Sequence, residues 1–417
     1  MPDIRRGLPE IEDRARHGKL RRSSSLANLV KVLITVVLVV AISGTVVAAY
    51  AVWSVVGEAK TFDLGAQPGA NALDVGAEQL NGELTILLVG SDKRKADSIM
   101  NDGEEGDRND VNLLLHIPAD HKSATVISFP RDLMVPIPSC TDPETGDVSS
   151  AMSEQQINTA LSYGGLSCVA ATITELTGME IPYAAMVDFD GVIDITNAIG
   201  GVTVCLAQPI DDSMTGLNLP AGEVTVSGVD ALNFVRTRYG VGDGSDVSRI
   251  SNQQVFMSAL MRQMRSADTL SNPMKVYSLA KAGFENLTMS SSMASIEFLQ
   301  KLAGTAVDID LSRVNFVQYP SGAHPYNPGR LSPDRYSGDQ LISIVLSGEP
   351  FQIAGVGEAA VAQTPADPAA PVEGEAPAEG EAAPAEGAEA PPVTVLPPNV
   401  TGQSAATQTC SAGRTQY

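Results

Sequence analysis

The chain has 417 residues, a formal net charge of −22 and a hydrophobic fraction of 43%, which suits one large domain with appendages or two average domains. The charge is uneven, because residues 1–32 carry eight Lys or Arg and four Asp or Glu, whereas residues 356–417 carry one Arg and eight acids. Since a phosphate backbone requires a basic partner surface, this composition argues against nucleic acid as a ligand.

An uncharged apolar stretch covers residues 32–57, and a bilayer requires about 20 such residues. A buried core helix and a cleaved signal peptide are the alternatives, but the apolar core of a signal peptide is shorter, at roughly 7–15 residues. Residues 1–31 are basic, so the positive-inside rule predicts a cytoplasmic tail there. We therefore predict a single-pass protein of the cell membrane whose residues after 57 lie outside the cytoplasm.

Residues 58–82 are small and polar, and they predict a stalk between the membrane and a domain over residues 83–350. That domain alternates predicted strands and helices, which indicates an α/β fold with a mixed central sheet sandwiched by helices. The predicted strands cover residues 84–90, 111–117, 123–130, 183–189, 201–206 and about 313–319. The predicted helices cover residues 154–165, 167–178, 190–201, 245–267 and about 272–283, 291–303 and 335–346.

Two of these helices carry informative detail. In the helix over 190–201, Val192, Ile195 and Ile199 share one face. The long helix over 245–267 begins at a cap provided by Ser245 or Asp246. After residue 350 the chain becomes rich in Ala, Pro and Glu and lacks aromatic residues, so residues 351–417 are predicted to be a disordered tail.

The four cysteines are Cys140, Cys168, Cys205 and Cys410. No two of them have CxxC spacing, so neither a zinc site nor a thioredoxin-like motif is supported. Outside the cytoplasm we expect a disulfide among the first three, with buried thiols as the alternative. Four cysteines allow three complete pairings, and the sequence does not choose among them.

Acids and arginines gather where the predicted strands begin and end. Asp92 and Arg94 follow the first strand, Arg108 and Asp110 precede the second, and Arg131 and Asp132 follow the third. Ligands in α/β folds collect at strand ends, where loops from several strands meet. We therefore expect these six residues to form one site.

The stretch "NFVRTRYGVGDGSDVSRISNQQ" over residues 233–254 supplies further candidates. Its "VRTRY" is predicted to be extended, which would point Arg236 and Arg238 in the same direction. Asp246, Arg249 and Gln253 share one face of the following helix.

This residue set favours phosphate chemistry. Arginine binds phosphate oxygens with paired donors, and two carboxylates hold Mg²⁺ that shares its ligand shell with substrate phosphates. Together they predict pyrophosphate binding and phosphoryl transfer. Salt bridges scattered over the surface are the alternative interpretation.

The chain resembles the LytR–CpsA–Psr family of bacterial envelope proteins over about residues 83–265, and the residues that follow resemble the helical extension of actinobacterial members. The resemblance rests on seven ordered motifs: "LLVGSDKR", "DRNDVNLLLHI", "VISFPRDL", "INTALSYGG", "VDFDGVIDITNAIGGVTV", "LPAGEVTVSGVDALNFVRTR" and "GDGSDVSRISNQQ". It implies a membrane-anchored phosphotransferase that moves a glycopolymer from a polyprenyl-pyrophosphate carrier to peptidoglycan. The product is a phosphodiester, and polyprenyl phosphate leaves.

The resemblance also implies residue roles. Asp92 and Asp110 would hold Mg²⁺ or Mn²⁺, and Asp246 would orient Arg249. Gln253 would join the pyrophosphate site, although Asn252 stands where the family has an arginine. The phosphate-binding arginines would be Arg94, Arg108, Arg131, Arg236, Arg238 and Arg249, of which Arg131, Arg236, Arg238 and Arg249, together with Asp246, would form the catalytic set. The lipid chain would occupy a tunnel beside the helices at 156–177 and 190–199.

Two other functions fit the same residues. A polyprenyl-pyrophosphate hydrolase would differ only in using water as the acceptor. A non-enzymatic regulator of the envelope would bind the lipid phosphate without reaction, although the intact set of aspartates and arginines favours catalysis.

Overall fold

The computed structural model describes residues 60–64, 82–94, 98, 106–143, 145–266, 269, 271–294, 296–362 and 394–414. The predicted cytoplasmic tail, the predicted membrane span over residues 32–57 and most of the predicted stalk lie outside these ranges. Within them, no helix combines the length and the apolar character that crossing a membrane requires.

The strands follow one another along the chain, with many short strands after the first four. In chain order they are β1 (Lys60–Phe62), β2 (Leu84–Ser91), β3 (Asn109–Ile117), β4 (Ala124–Phe129), β5 (Met134–Ile137), β6 (Cys140–Thr141), β7 (Val148–Ser149), β8 (Met152–Gln156), β9 (Tyr183–Val187), β10 (Val202–Leu206), β11 (Ile210–Asp212), β12 (Leu217–Leu219), β13 (Gly222–Val226), β14 (Leu287–Ser290), β15 (Val314–Gln318), β16 (Ser321–Ala323), β17 (Leu331–Pro333), β18 (Phe351–Gln352), β19 (Ala360–Ala362), β20 (Thr394–Val395), β21 (Gly402–Ser404) and β22 (Thr409–Ser411).

The helices alternate with these strands. They are α1 (Ala160–Thr177), α2 (Phe189–Ile199), α3 (Gly228–Arg236), α4 (Asp246–Met264), α5 (Pro273–Asn286), α6 (Ile296–Asp308) and α7 (Arg335–Ser347), with short 3-10 turns at Ile157–Thr159 and Leu311–Arg313. Ser245 caps α4, because its side chain accepts a hydrogen bond from Ser248 N at 3.1 Å.

An eight-stranded mixed sheet has the order β1-β14-β9-β2-β3-β4-β15-β21. Side chains of a strand alternate between the two faces. In β2, Leu87 and Val89 pack in the core that includes α1 and α7, whereas Leu84 and Ile86 pack in the core on the other face, with α4, α5 and α6. The predicted α/β fold with a mixed sheet between helices is confirmed.

The start of one predicted helix differs from the structure before residue 180. Residues 154–156 lie in β8 rather than in a helix, because β8 pairs with β5 and places Gln156 opposite Met134. The helix that follows has non-helical dihedral angles at Gly164 and Gly165, and Gly165 has a φ of 62°. The span α1 therefore consists of two helices that meet at a kink at this glycine pair, as the sequence predicts.

The prediction that "VRTRY" is extended is wrong. Val235 and Arg236 are helical, Arg236 ends helix α3, and Thr237 after it has φ −57° and ψ 136°. The helix is stabilised by tertiary packing, since Leu232 and Phe234 are almost fully buried, and burial of an apolar face outweighs the preference of β-branched residues for strands. Arg236 and Arg238 consequently lie on different structural elements.

Residues 351–362 and 394–414 are not part of the disordered tail that composition predicts over 351–417, whereas residues 363–393 and 415–417 lie outside the described ranges. Strand β21 pairs with β15 at the edge of the main sheet, and β22 lies between β10 and β19 in a second sheet. The predicted stalk also begins inside the fold, because β1 pairs with β14. The predictions of a disordered tail and of a separate stalk were wrong for these residues. Strands form by pairing of backbone groups, which the amino-acid composition does not reveal.

Two disulfides connect the elements: Cys140–Cys168, with a sequence separation of 28, and Cys205–Cys410, with a separation of 205. The first attaches β6 to α1, and the second attaches β22 to β10. The expected disulfide among the first three cysteines is Cys140–Cys168, and all four cysteines are oxidised.

We expect the long-range disulfide to contribute more stability than the local one. The sequence separations of 205 and 28 residues correspond to chain-entropy contributions of about 5 and about 3.5 kcal/mol. The double variants Cys205→Ala/Cys410→Ala and Cys140→Ala/Cys168→Ala should both lower the free energy of unfolding measured with denaturant, the first by more. Equal losses, or a larger loss for the second variant, would contradict this account.

Candidate functional site

A β-bulge aims Asp110 at the site. Gly90 pairs with Val111 and Ser91 pairs with Asn109, so Asp110 is an extra residue on β3. A bulge redirects the side chain that it carries, and here Asp110 and the adjacent Val111 line the same cavity. Asn109 turns inwards instead, where its amide donates to Asn112 Oδ1 at 2.7 Å. The bulge thus places a carboxylate at the rim of an apolar cavity.

Asp246 joins three basic residues at the start of α4. Its Oδ1 lies 2.9 Å from Arg238 Nη2 and 2.7 Å from Arg249 Nη2, and its Oδ2 accepts a hydrogen bond from Arg131 N at 3.0 Å. Arg131 Nη1 also donates to Asp110 Oδ1 at 2.8 Å. Segments that are distant in sequence therefore meet around one carboxylate.

Asp132 extends this network towards the surface. Its Oδ1 accepts hydrogen bonds from Gln156 Nε2 and Arg330 Nη1, both at 2.8 Å, and its Oδ2 lies 3.5 Å from Arg238 Nη2. We call the connected set the arginine–aspartate network: Asp110, Arg131, Asp132, Arg238, Asp246, Arg249 and Arg330.

Burial controls the electrostatics of this network. The Arg249 guanidinium is 6% exposed, and burial lowers its pKa, with Arg238 adding to the effect and Asp246 opposing it. For Arg131, burial also favours the neutral form, but the carboxylates of Asp110, Asp132 and Asp246 outweigh it and raise the pKa.

Three buried donors in the network remain available for a ligand. The Nε atoms of Arg131, Arg238 and Arg249 are buried and have no hydrogen-bond partner among the described residues. Leaving such a donor unsatisfied costs about 1–3 kcal/mol, and an anion with several oxygens would satisfy them. The donor set therefore fits a phosphate or pyrophosphate group.

Arg236 and Arg94 approach Phe189, the first residue of α2. The Arg236 guanidinium lies 4.4 Å from the centre of the Phe189 ring, and that of Arg94 lies 5.7 Å from it. Both distances allow cation–π attraction. Gln253 is fixed by its amide, which donates to Val235 O at 2.9 Å.

An apolar cavity of about 420 Å³ opens beside these groups. Its polar rim includes Asp110, Arg236, Arg249 and Gln253, and its walls are almost entirely hydrocarbon. The walls come from α2 (Val192, Ile195), α3 (Leu232, Val235), α4 (Phe256, Met257, Leu260, Met264), α5 (Leu279, Gly283) and the adjacent strands. Such a chamber fits a long hydrocarbon chain whose charged head stays at the rim.

Of the two helices predicted to line the lipid tunnel, one lines the cavity and the other does not. The helix predicted at 190–199 lines the cavity, as expected. The helix predicted at 156–177 does not, because its apolar residues pack on the opposite face of the main sheet. Helix α4 supplies more of the wall, and its run of Phe256, Met257, Leu260 and Met264 at helical spacing was the available sequence signal.

The structure gathers most of the predicted site residues. Arg131, Arg238, Arg249, Asp110 and Asp246 belong to the network, Arg236 and Gln253 line the cavity, and Arg94 lies near the cavity residue Phe189. Arg108 contributes its backbone N–H, which donates to Asp92 Oδ1 at 2.8 Å, while its side chain is exposed. Asp132, expected beside Arg131 at the end of the third strand, also belongs to the network. Sequence reasoning missed Phe189, Gln156 and Arg330, and no motif indicates Gln156 or Arg330.

Asp92 and Asp110 remain the candidate metal ligands. Among the described residues, no group of three or more His, Cys, Asp or Glu is arranged to hold a metal ion. Two carboxylates at the ends of adjacent strands nevertheless fit Mg²⁺, whose remaining ligands are commonly water and substrate phosphate.

Comparison with known proteins agrees with this geometry. A model of the LytR_cpsA_psr family matches residues 54–332. The chain is 32% identical over 252 residues to "Cell wall biosynthesis protein LcpA" of Corynebacterium glutamicum, a match that covers 54% of this chain and 48% of that protein. It therefore spans about half the length of that relative.

Two further similarities are informative. "Polyisoprenyl-teichoic acid--peptidoglycan teichoic acid transferase TagU" of Bacillus mycoides is 28% identical over 236 residues, covering 55% of this chain and 70% of that protein. The solved structure of a "LytR-Csp2A-Psr enzyme from Actinomyces oris" has a TM-score of 0.52 at 23% identity and covers 69% of this chain and 96% of that one, which shows a shared fold. Because the family model covers most of the sequence, the chain belongs to the LytR–CpsA–Psr family.

Proposed function

We propose that this protein transfers a glycopolymer from a polyprenyl-pyrophosphate carrier to peptidoglycan. The observation that carries the proposal is the apolar cavity, whose rim opens onto buried arginine and aspartate side chains. A substrate with one hydrocarbon chain and one pyrophosphate would satisfy both parts together. The name of the TagU relative, a polyisoprenyl-teichoic acid transferase, supports this substrate class.

The reaction needs charge stabilisation more than covalent chemistry by the protein. A sugar hydroxyl of peptidoglycan attacks the phosphorus that bears the glycopolymer, a new P–O bond forms, and the bond to the bridging oxygen breaks. Polyprenyl phosphate leaves with the electron pair, and the hydroxyl proton balances its new charge. Arg131, Arg236, Arg238 and Arg249 would neutralise the phosphate oxygens as this charge develops.

Asp246 would act as a positioning residue in this scheme, because it fixes Arg238 and Arg249 by direct ion pairs. Asp92 and Asp110 would hold Mg²⁺ or Mn²⁺, which would supply charge neutralisation at the pyrophosphate. Arg94 and Arg108 would add positive charge at the same edge of the sheet. The membrane anchor proposed for residues 32–57 would keep the domain outside the cytoplasm, beside both lipid and peptidoglycan.

A turnover experiment tests this assignment. The full chain, in detergent, is incubated with polyprenyl-pyrophosphate-linked glycan and peptidoglycan, with and without Mg²⁺. We expect release of polyprenyl phosphate together with covalent attachment of glycan to peptidoglycan, and a decrease of about 10²–10³-fold in kcat for Arg236→Ala or Arg249→Ala. Asp92→Ala should abolish the stimulation by Mg²⁺.

Arg313→Ala is the matched control, because Arg313 precedes β15 at the end of the sheet opposite the site. Release of polyprenyl phosphate without attachment would indicate a hydrolase. Unchanged turnover in all three site variants would disprove the site assignment.

Filling the cavity should prevent lipid binding. Val192 lines the cavity, so Val192→Trp should project a large ring into it and reduce the amount of polyprenyl lipid that copurifies, measured by mass spectrometry, at least tenfold. Val192→Ile, which adds one methylene group, is the control and should retain the lipid. If Val192→Trp folds with an unchanged melting temperature and retains the lipid fully, the cavity is not the lipid site.

Removing the Asp246 carboxylate should destabilise the fold as well as the site. Asp246→Ala leaves the buried Arg249 guanidinium without its ion-pair partner, and breaking a buried pair costs about 3–5 kcal/mol. Asp230→Ala, at an exposed position of α3, should change the free energy of unfolding by less than about 0.5 kcal/mol. Denaturant unfolding of both variants measures this difference, and equal values would refute it.

A further inference from the structure

The hairpin of β16 and β17 is attached to the arginine–aspartate network. Leu331 N donates to Asp132 O at 3.0 Å, and Leu331 forms a β-bridge with Leu133. Arg330, the preceding residue, donates from Nη1 to Asp132 Oδ1 at 2.8 Å. The connecting loop, residues 324–330, therefore lies beside the candidate site, although nothing in the sequence motifs points to it.

Hydrogen bonds within the loop hold its shape. His324 Nδ1 accepts from Tyr326 N at 3.2 Å and from Asn327 N at 3.0 Å, and Arg330 N donates to Asn327 O at 3.1 Å. The Tyr326 side chain is nevertheless 86% exposed, the highest value for a large apolar or aromatic residue among those described. The backbone is fixed while the ring is presented to solvent.

The loop and the cavity contact different members of the network. Arg249 lines the cavity and pairs with Asp246, which in turn pairs with Arg238. From Arg238 the contacts continue to Asp132 at 3.5 Å and then to Arg330. Arg238, Asp132 and Arg330 are absent from the cavity wall. A pyrophosphate at the network would thus adjoin the lipid chamber through Arg249 and the loop through Asp132 and Arg330.

We propose that the 324–330 loop is the binding subsite for the acceptor glycan, with Tyr326 and Arg330 as its main contacts. This inference rests on the proposed function and assigns the side from which the sugar hydroxyl approaches. The C–H face of a pyranose ring packs against an aromatic ring such as Tyr326, which offers a large contact area at a low entropy cost. Arg330 would donate paired hydrogen bonds to carboxylates and hydroxyls of the glycan.

The chemistry of the surroundings favours a glycan over a membrane or a protein. Pro325 and Asn327 flank Tyr326 in the loop, and Glu154 lies 3.2 Å from His324 Nε2. Interfaces with proteins or lipid tails commonly show a contiguous apolar patch, whereas an exposed ring beside amide and carboxylate groups suits a sugar. Gln156, which donates to Asp132 from β8, adds a further amide on the same side.

Two measurements with the full chain test this inference. Cosedimentation with purified peptidoglycan sacculi measures acceptor binding without turnover. Transfer kinetics then give the KM for a soluble glycan-strand acceptor and for the lipid donor separately. We expect Tyr326→Ala and Arg330→Ala each to weaken sacculus binding and to raise the acceptor KM about tenfold, with a much smaller change in the donor KM. Tyr326→Phe should retain most of the binding, because the ring is preserved.

Matched controls are Tyr277→Ala, a partly exposed tyrosine of α5, and Arg313→Ala, and both should leave acceptor binding unchanged. If the wild-type chain transfers glycan and the loop variants keep the wild-type acceptor KM and sacculus binding, the subsite is wrong and the proposed function stands. If the wild-type chain releases polyprenyl phosphate but never attaches glycan, the proposed function itself fails. Loss of binding to lipid vesicles instead of sacculi in Tyr326→Ala would also overturn the inference.

Discussion

The fold of the site depends on burying the Arg249 guanidinium against the Asp246 carboxylate. Removing two charges from water costs several kcal/mol, which is offset only when further hydrogen bonds satisfy both partners. Asp246 meets this condition because it also binds Arg131 N and Arg238. The start of α4 is thereby fixed against the end of β4, and the apolar residues farther along α4 are placed as the cavity wall. The ion pairs and the apolar cavity wall are adjacent because helix α4 supplies residues to both.

Asn252 stands where the family resemblance led us to expect an arginine. Its side chain is fully buried and donates from Nδ2 to Phe234 O at 2.6 Å, while its Oδ1 accepts a hydrogen bond from Ser411 Oγ. It therefore connects α3, α4 and the C-terminal segment instead of facing a ligand. Its neighbour Gln253 lines the cavity. Of these two adjacent residues of α4, Asn252 therefore stabilises the fold and Gln253 belongs to the site.

Sequence reasoning succeeded where the signal is local. The apolar runs before Asp92 and Arg131 predict strands, and helical spacing correctly groups Asp246 with Arg249. It failed where distant segments decide the outcome. Burial of Phe234 keeps Arg236 helical, and Arg330 reaches Asp132 across 198 residues. The C-terminal strands were missed for the same reason, because β21 and β22 pair with β15 and β10, which are distant in the sequence.

The Cys205–Cys410 disulfide has a consequence for how the molecule behaves as a polymer. It closes a covalent ring that contains α3, α4, β15 and the Ala/Pro/Glu-rich residues 363–393. A single backbone cleavage within that Ala/Pro/Glu-rich stretch would open the ring without releasing a fragment, and the two pieces would separate only after reduction. In the sequence, the acidic stretch therefore connects two paired strands, β19 and β20, and is not a chain end.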